Sequence, residues 1–554
     1  MKTIKIQLLG ILILLASLTS SCESFTDINK SVATVYDVEP VSMLYQVQNN
    51  AQSSGSTWND SYAARLRWMQ YCANIWGYST TNFTYFSINI GSSLYHEYLN
   101  MGSYSRHLEY TIKTNFPGDL PRYTLLIEAA RIMHISKGIA TTDTHGSLVY
   151  TEGWGMRSGK PDLIEPRFET QEELFKVWDS ELKEAVAKLK TATAQISIKG
   201  YDMAYDGDAL KWEKAANALR LRIALRILKR DPSWAKQIAN EVLAGEIPQS
   251  NGDGLILRFD KLYTSQDDWH SIIDMDRASA PFMSYLTKYE DPRKRLYFQA
   301  NNLTPARIAT FNSEQSDESK KIPLDYTLWE GGTVSYDQRA SDQRYQNKRL
   351  DDGTDMRAMN KPQTRLWKGM QDNGSGGSWF PILTYADFCF MASEFVLEGA
   401  VSTSTAQDWY EKGVAASIDQ WSEIGDFCKI NDYKEVTAQE RDEFLAKEGI
   451  AWNAAIAKEQ IYCQSWVEHF KNNNEAWSLW KRTGYPNQQS SIVTFDKVMI
   501  NAVEQDVPRR TRFAYPVQGV SNYSNIVKRL DDMAKDPEFG AVVNEFGRLW
   551  WDKE

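Results

Sequence analysis

Apolar residues recur at helical spacing through most of this chain. The clearest run is 208–229, DALKWEKAANALRLRIALRILK. There Ala215, Leu219, Ile223 and Ile227 fall four apart, and Trp212, Ala216, Ala218, Leu221, Leu225 and Leu228 widen the stripe. A stripe of this period predicts a helix that buries one face. Asp208 stands where a side-chain oxygen caps the first free N–H groups. Asp231-Pro232 ends the run, because a proline disfavours helix in the residue before it. A second helix over 233–244 follows at once and stops at Gly245. Two antiparallel helices joined by a tight turn make one tetratricopeptide-like unit.

Further stretches carry the same pattern. Residues 120–140 read as one long helix. The run 170–189 opens with a capping box, Thr170 with Glu173 three residues on, and carries Leu174, Trp178, Leu182, Ala185 and Leu189. Residues 383–397 pair with 405–421 across Glu398-Gly399, and 451–470 pair with 475–481. Helix pairs at this density predict an all-α fold, a tetratricopeptide-like helical-pair solenoid. A bundle of unrelated helices is the alternative with the same local pattern. Trp178, Trp212, Trp409 and Trp480 lie in these helices and are assigned to the core.

Between 246 and 382 the periodicity breaks down. Turn-forming clusters appear (PQSNGDG, DDGTD, DNGSGG), and with them Trp269, Tyr285, Tyr289, Tyr326, Trp329, Tyr336, Tyr345, Trp367 and Trp379. Disordered segments are poor in aromatics, so this is expected to be an ordered, loop-rich insertion on a scaffold of about 40–245 and 383–554. A second irregular, aromatic stretch runs over 76–95. The chain is read as one domain over 22–554, preceded by a signal over 1–21.

That signal rests on Lys2 and Lys5, an apolar run over 6–18, small residues at 19–21 and then Cys22. The run is too short to span a bilayer. A cysteine directly after the small residues is expected to be lipidated, which anchors a chain without a membrane helix. No later stretch reaches eighteen uninterrupted apolar residues. The net charge is −10, with 62 Lys and Arg against 72 Asp and Glu. No long basic block occurs, which sets nucleic acid aside. Cys72, Cys389, Cys428 and Cys463 are widely spaced and do not make a disulfide framework. The 19 Trp and 28 Tyr matter more. They serve a core, or a surface that stacks on sugar rings or peptide side chains.

Catalytic patterns fail one by one. His96-Glu97-Tyr98-Leu99-Asn100 lacks the second histidine of a zinc pair. There is no GxSxG elbow, phosphate-cradling loop or dinucleotide fingerprint. His134, inside a helix, reads as a packed or surface residue. Carboxylate pairs for glycoside hydrolysis meet only in three dimensions and stay open. The expected class is therefore a binding protein, not an enzyme, with no cofactor. Acidic turns such as Asp351-Asp352-Gly353 are compatible with structural Ca²⁺, but their ordinary role is a solvated turn.

An ordered set of short motifs adds to this reading: Phe25-Thr26-Asp27-Ile28-Asn29, the 205–227 helix, Glu290-Asp291-Pro292-Arg293 with Tyr297-Phe298, and 381–400. Near the end come Trp477, Trp480, Lys481-Arg482-Thr483-Gly484-Tyr485-Pro486, Val507-Pro508-Arg509-Arg510, Tyr515-Pro516 and Leu549-Trp550-Trp551-Asp552. In this order the set resembles the SusD/RagB family of Bacteroidota outer-membrane lipoproteins, in particular its SusD-like 2 branch. One departure is Asp143-Thr144-His145-Gly146-Ser147-Leu148-Val149-Tyr150. There His145, Ser147 and Val149 replace the family's usual Tyr, Asp and Pro, which puts the local turn in question.

The resemblance implies a lipid-anchored protein on the outer cell surface. It would act as a lid on a SusC-like TonB-dependent transporter, capturing oligosaccharides or, in some members, peptides. It places ligand contacts on the irregular face. Trp76, Tyr78, Phe83 and Tyr85 are expected from the first aromatic loop, and Trp269, Trp329 and Tyr336 from the insertion, with Asn82, Asp267 and Arg277 as polar contacts. The competing reading makes the same residues loop-anchoring core. Two other classes stay open. A surface glycoside hydrolase or peptidase would yield shorter products, and a purely structural lipoprotein would bind no small ligand.

Overall fold

The computed structural model describes residues 39–53, 64–74, 91–259, 276–339, 341–345, 348–367 and 377–554. Cys22, the signal over 1–21, Trp76, Tyr78, Asn82, Phe83, Tyr85, Asp267 and Trp269 lie outside the described residues. In chain order the first elements are α1 (Pro40–Asn49), β1 (Cys72–Asn74), α2 (Ser92–Asn115), α3 (Thr124–His145), α4 (Gln171–Thr191), α5 (Ala209–Ile227) and α6 (Pro232–Leu243). The loop-rich stretch carries β2 (Leu255–Phe259), β3 (Asp276–Ala278), α7 (Ala280–Lys288), α8 (Pro305–Glu314) and β4 (Ser378–Leu383). Helices return as α9 (Tyr385–Leu397), α10 (Ala406–Cys428), α11 (Ala438–Leu445), α12 (Ala457–Glu468) and α13 (Asn473–Thr483). A hairpin, β5 (Met499–Ile500) and β6 (Val503–Glu504), and α14 (Tyr523–Ala534) complete the chain.

The helices stack as an α-solenoid. Each of α2 to α6 packs on the next, and α3 also touches α5. After the loop-rich stretch, α9 packs on both α5 and α6, and α10 packs on α9. The stack therefore continues across the insertion, which leaves it after α6 and rejoins it at α9. Such contacts between neighbouring helix pairs are what a tetratricopeptide-like solenoid is built from.

Local chemistry sets the helix ends as the pattern predicts. Asp208 accepts from the Leu210 and Lys211 N–H groups at 3.0 and 3.2 Å, and Asp231 caps α6 ahead of Pro232. The Thr170–Glu173 capping box is formed. The same device recurs at Thr384 with Asp387, Thr405 with Asp408 and Thr437 with Glu440.

Several boundaries differ from expectation, each for a local reason. The 120–140 helix begins only at Thr124. Pro121 has no N–H to donate and lies inside the preceding 3₁₀ segment Pro117–Tyr123, so the α-helix forms only after it. Leu383 closes β4, and Thr384 caps α9, which starts at Tyr385. Asn453 caps a 3₁₀ turn, so α12 starts at Ala457. The helix expected over 405–421 runs on to Cys428. The irregular stretch expected to Tyr95 gives way to α2 at Ser92. Its Gly102 is demanded by packing, since a Cβ there would lie 2.1 Å from the Trp154 indole.

Two large apolar clusters form the core. One lies among α1 to α6, α9 and the C-terminal segment. The other joins α10, α12 and α13 to the insertion through Phe282, Tyr297, Phe298, Trp466 and Phe470, with ring centroids 4.8 to 5.7 Å apart. The insertion thus shares its core with the second half of the solenoid, and burial of these rings is a large part of what holds it. Trp178 and Trp212 are fully buried and Trp409 nearly so, while Trp480 is half-buried beneath Arg509. No helix among the described residues is long and apolar enough to cross a membrane.

Candidate functional site

A two-stranded antiparallel sheet frames the candidate ligand face. Cys72, Ala73 and Asn74 pair with Ala278, Arg277 and Asp276 in that order. Asn74 leads into residues 75–90 and Asp276 follows 260–275. The two segments that carry Trp76 to Tyr85 and Trp269 therefore join the fold at one residue pair. A third segment lies alongside: Gly332 N–H donates to Ala278 at 2.9 Å, and Ala280 N–H donates to Gly332 at 2.7 Å.

The glycines here are required. A Cβ on Gly331 would lie 2.2 Å from the Ser279 carbonyl oxygen, and one on Gly332 would lie 2.0 Å from Met359 Sδ. Asn360 fastens the segment. Its amide donates to the Gln299 and Leu328 carbonyls at 2.7 and 2.8 Å, and its oxygen accepts from Glu330 N–H at 2.6 Å. All three bonds are buried or partly so, and a buried amide satisfied in this way rigidifies its surroundings.

This frame presents Trp329 and Tyr336, both half-buried. Trp329 packs one face on the second core cluster, and the Lys294 ammonium sits 5.1 Å from its ring centre. Tyr336 rests on the small cluster of Ala73, Val334, Tyr345 and Met359. Asp337, beside it, accepts from Asn501 and Ala502 N–H at 2.8 and 2.7 Å, which ties the segment to the β5–β6 turn. Arg277 is buried within the sheet rather than at a rim. Of the other insertion aromatics, Tyr285, Tyr289, Tyr345, Trp367 and Trp379 are buried core, and Tyr326 is half-buried.

Between α3, α5, α13 and the C-terminal segment, charged residues form a largely buried spine. Arg226 reaches both Asp143 oxygens, the nearer at 2.9 Å, and Glu475 at 2.7 Å. Ser478 donates to Asp143, and Lys481 Nζ donates to its main-chain oxygen at 2.5 Å. Arg509 grips both Asp552 oxygens at 2.7 Å and donates to the Lys481 carbonyl at 2.6 Å. Burial opposes the charge on Glu475, but Arg222 and Arg226 overcome it and hold its carboxyl at about 2. Burial pulls the Lys481 ammonium down to about 7, against Asp143 and Asp552. The short motifs singled out in the sequence thus converge on structural work: Asp143, Lys481, Arg509 and Asp552 sit in this spine. Arg482 pairs with Glu394, and Asp291 with Arg293 is a fully buried pair. The turn after Asp143 forms at Gly146, with φ +65°.

Cys463 is buried and its thiol is pushed up to about 12 by that burial, which leaves it inert as a nucleophile. Cys72, Cys389 and Cys428 are buried too. His134 is buried among Tyr98, Tyr150 and Trp154, and burial and Arg106 hold it neutral. Among the described residues no group of three His, Cys, Asp or Glu could hold a metal ion. Asp351-Asp352-Gly353 is an exposed turn in which Asp352 accepts from Thr354 N–H at 2.9 Å.

A family model described as "Starch-binding associating with outer membrane" (SusD-like 2) matches residues 31–516. Among solved structures, a chitin-binding protein aligns at 22% identity with TM-score 0.69, over 93% of this chain and 100% of that chain. A SusD homologue from Bacteroides fragilis aligns at 17% identity and TM-score 0.67, with the same coverage. A chitin-binding SusD homologue from Flavobacterium johnsoniae aligns at 22% identity and TM-score 0.64, over 93% and 99%. At these identities the likeness shows the fold. No curated protein matches the chain by sequence.

Proposed function

Because the chain belongs to the SusD-like 2 family, we propose that it is a cell-surface nutrient-binding protein. In this reading it captures oligosaccharides and delivers them, as a lid, to a SusC-like TonB-dependent outer-membrane transporter. Lipidated Cys22 holds it to the outer membrane. The observation that carries the reading is the pairing of Asn74 with Asp276. It roots one end of each aromatic segment in the frame that also carries Trp329 and Tyr336.

Capture needs no bond-making. Trp and Tyr faces stack on sugar rings, and polar side chains at the rim read the hydroxyls. Trp76, Tyr78, Phe83, Tyr85, Trp269, Trp329 and Tyr336 supply the aromatic faces, with Asn82 and Asp267 as polar contacts. Moderate affinity suits handover, since a ligand held too tightly is not released. A lid that closes over the transporter raises the local ligand concentration without adding contacts to either protein.

Two of the similar structures carry chitin binding in their names, so β-linked N-acetylglucosamine oligomers lead the ligand panel and starch fragments follow. The test is calorimetric titration of the protein with both, and with mixed peptides. Heat with one glycan series supports the reading and names the substrate. Heat with peptides alone moves the protein to peptide import, and shortened glycans after incubation would make it a hydrolase. Trp76→Ala is expected to weaken glycan binding while leaving the fold intact.

A further inference from the structure

Trp329 is held by more than the packing of its ring. The peptide group before it and the peptide group after it both end on one side-chain amide, that of Asn360. The Leu328 carbonyl accepts from Asn360 Nδ2 at 2.8 Å, and Glu330 N–H donates to Asn360 Oδ1 at 2.6 Å. A residue has only two soft backbone dihedrals, and they lie between its two peptide planes. Asn360 holds both planes and so sets the backbone of Trp329. Thr327 closes the other side. Its hydroxyl accepts from Trp329 N–H at 3.2 Å and donates to the Trp329 carbonyl at 3.1 Å. Thr327 is exposed, whereas Asn360 is fully buried.

The main chain of Asn360 extends this hold to the sheet. Its N–H donates to the Glu330 carbonyl at 3.0 Å, and its carbonyl accepts from Ala278 N–H at 2.8 Å. Ala278 and Asp276 both lie in β3, and Asp276 pairs with Asn74. Hydrogen bonds therefore run without a gap from the Trp329 backbone to the strand pair that roots both aromatic segments. The remaining amide hydrogen of Asn360 goes to the Gln299 carbonyl at 2.7 Å. A buried polar network whose members are all satisfied specifies one arrangement. A platform set before the ligand arrives loses no freedom on binding, which raises affinity.

We propose that Asn360 is a positioning residue for ligand recognition, acting through Trp329 and touching no ligand itself. The inference rests on the reading of Trp329 as a glycan contact. The test is a double-mutant cycle, read by calorimetric titration of the full chain in a detergent without a sugar headgroup. Chitohexaose and maltohexaose are the probes. Asn360→Ala should raise the Kd of the hexaose that binds by about tenfold. In the Trp329→Ala background the same change should do nothing further, because the group it positions is gone.

A merely structural role would weaken binding equally in both backgrounds, and that result overturns the proposal. Parent-like affinity in Asn360→Ala overturns it too, while weak binding by Trp329→Ala would leave the glycan reading standing. If Trp329→Ala binds as well as the parent, or neither hexaose binds, the glycan reading fails and this inference falls with it. Amide hydrogen exchange of the unsubstituted protein covers the case in which Asn360→Ala does not fold. Glu330 N–H should exchange slowly without glycan and no more slowly with it. Fast exchange without glycan would mean that Asn360 does not set the segment in advance, and would overturn the proposal.

Discussion

The buried spine and the aromatic face use opposite means. The spine holds Asp143, Arg226, Glu475, Lys481, Arg509 and Asp552 away from water, in ion pairs and hydrogen bonds that join α3, α5, α13 and the C-terminal segment. The face sets half-buried rings on short strands and glycine-bearing loops, fastened by Asn360. Four residues of the short motifs that make the family legible, Asp143, Lys481, Arg509 and Asp552, fall in the first region, while Trp329 and Tyr336, which we assign to ligand contact, fall in the second. Family resemblance here is in part a record of how the scaffold is held.

Breaking the spine should therefore cost stability and spare recognition. Asp143→Asn removes the carboxylate between Arg226, Ser478 and Lys481, and leaves buried charge short of a partner. A loss of about 3–5 kcal/mol in urea unfolding is expected, with unchanged ligand affinity in the protein that stays folded. Gly331→Ala tests the face. Its new Cβ would press on the Ser279 carbonyl at 2.2 Å and push the segment off β3. A smaller loss of about 1–3 kcal/mol is expected, accompanied by weaker glycan binding. Equal affinity in Gly331→Ala would separate the segment from recognition.

The two regions also differ in how far the sequence discloses them. The helix α5 is legible because its apolar stripe and both flanking aspartates act locally, within a few residues. The spine is not, although Arg222 and Arg226 stand in plain view on that helix. Their partners Asp387, Asp143 and Glu475 lie 165, 83 and 249 residues away, and one sequence holds no trace of such pairing. Helix α2 was hidden by Gly102 and a mixed polar and aromatic composition, and its glycine has meaning only against Trp154. At the site, aromatic content marked Trp329 and Tyr336. It marked Trp367 and Trp379 equally, and both proved to be core, because composition does not encode which way a ring faces. The Gly331-Gly332 pair was the missed signal. Two adjacent glycines in an aromatic segment announce close backbone approach.

The spine makes a further claim through pH. The Lys481 ammonium loses its proton near 7 in the folded chain and near the ordinary 10.5 when unfolded. Between these values the unfolded chain binds the extra proton, so raising the pH stabilises the fold, by up to about 1.4 kcal/mol per unit. Below pH 7 both states hold the proton, the slope vanishes and the penalty of burying the charge is complete. Urea unfolding at pH 7 and pH 9 should show this rise in the parent and lose it in Lys481→Met. Identical slopes in the two proteins would mean that Asp143 and Asp552 keep Lys481 charged, and that the spine is fully ionic.

The smallest structural effect is expected where the functional effect should be clearest. Trp329 lays one face on the core and meets Lys294 at 5.1 Å, but it is not enclosed. Trp329→Ala should weaken glycan binding by about tenfold, near 1.4 kcal/mol, and lower the melting temperature by no more than about 2 °C. The paired measurement decides which region this tryptophan belongs to. A large drop in melting temperature with affinity preserved would return Trp329 to the core, alongside Trp367. Affinity lost on a stable fold would assign it to recognition, and would make the β1–β3 frame the element that sets how far apart its partner rings stand.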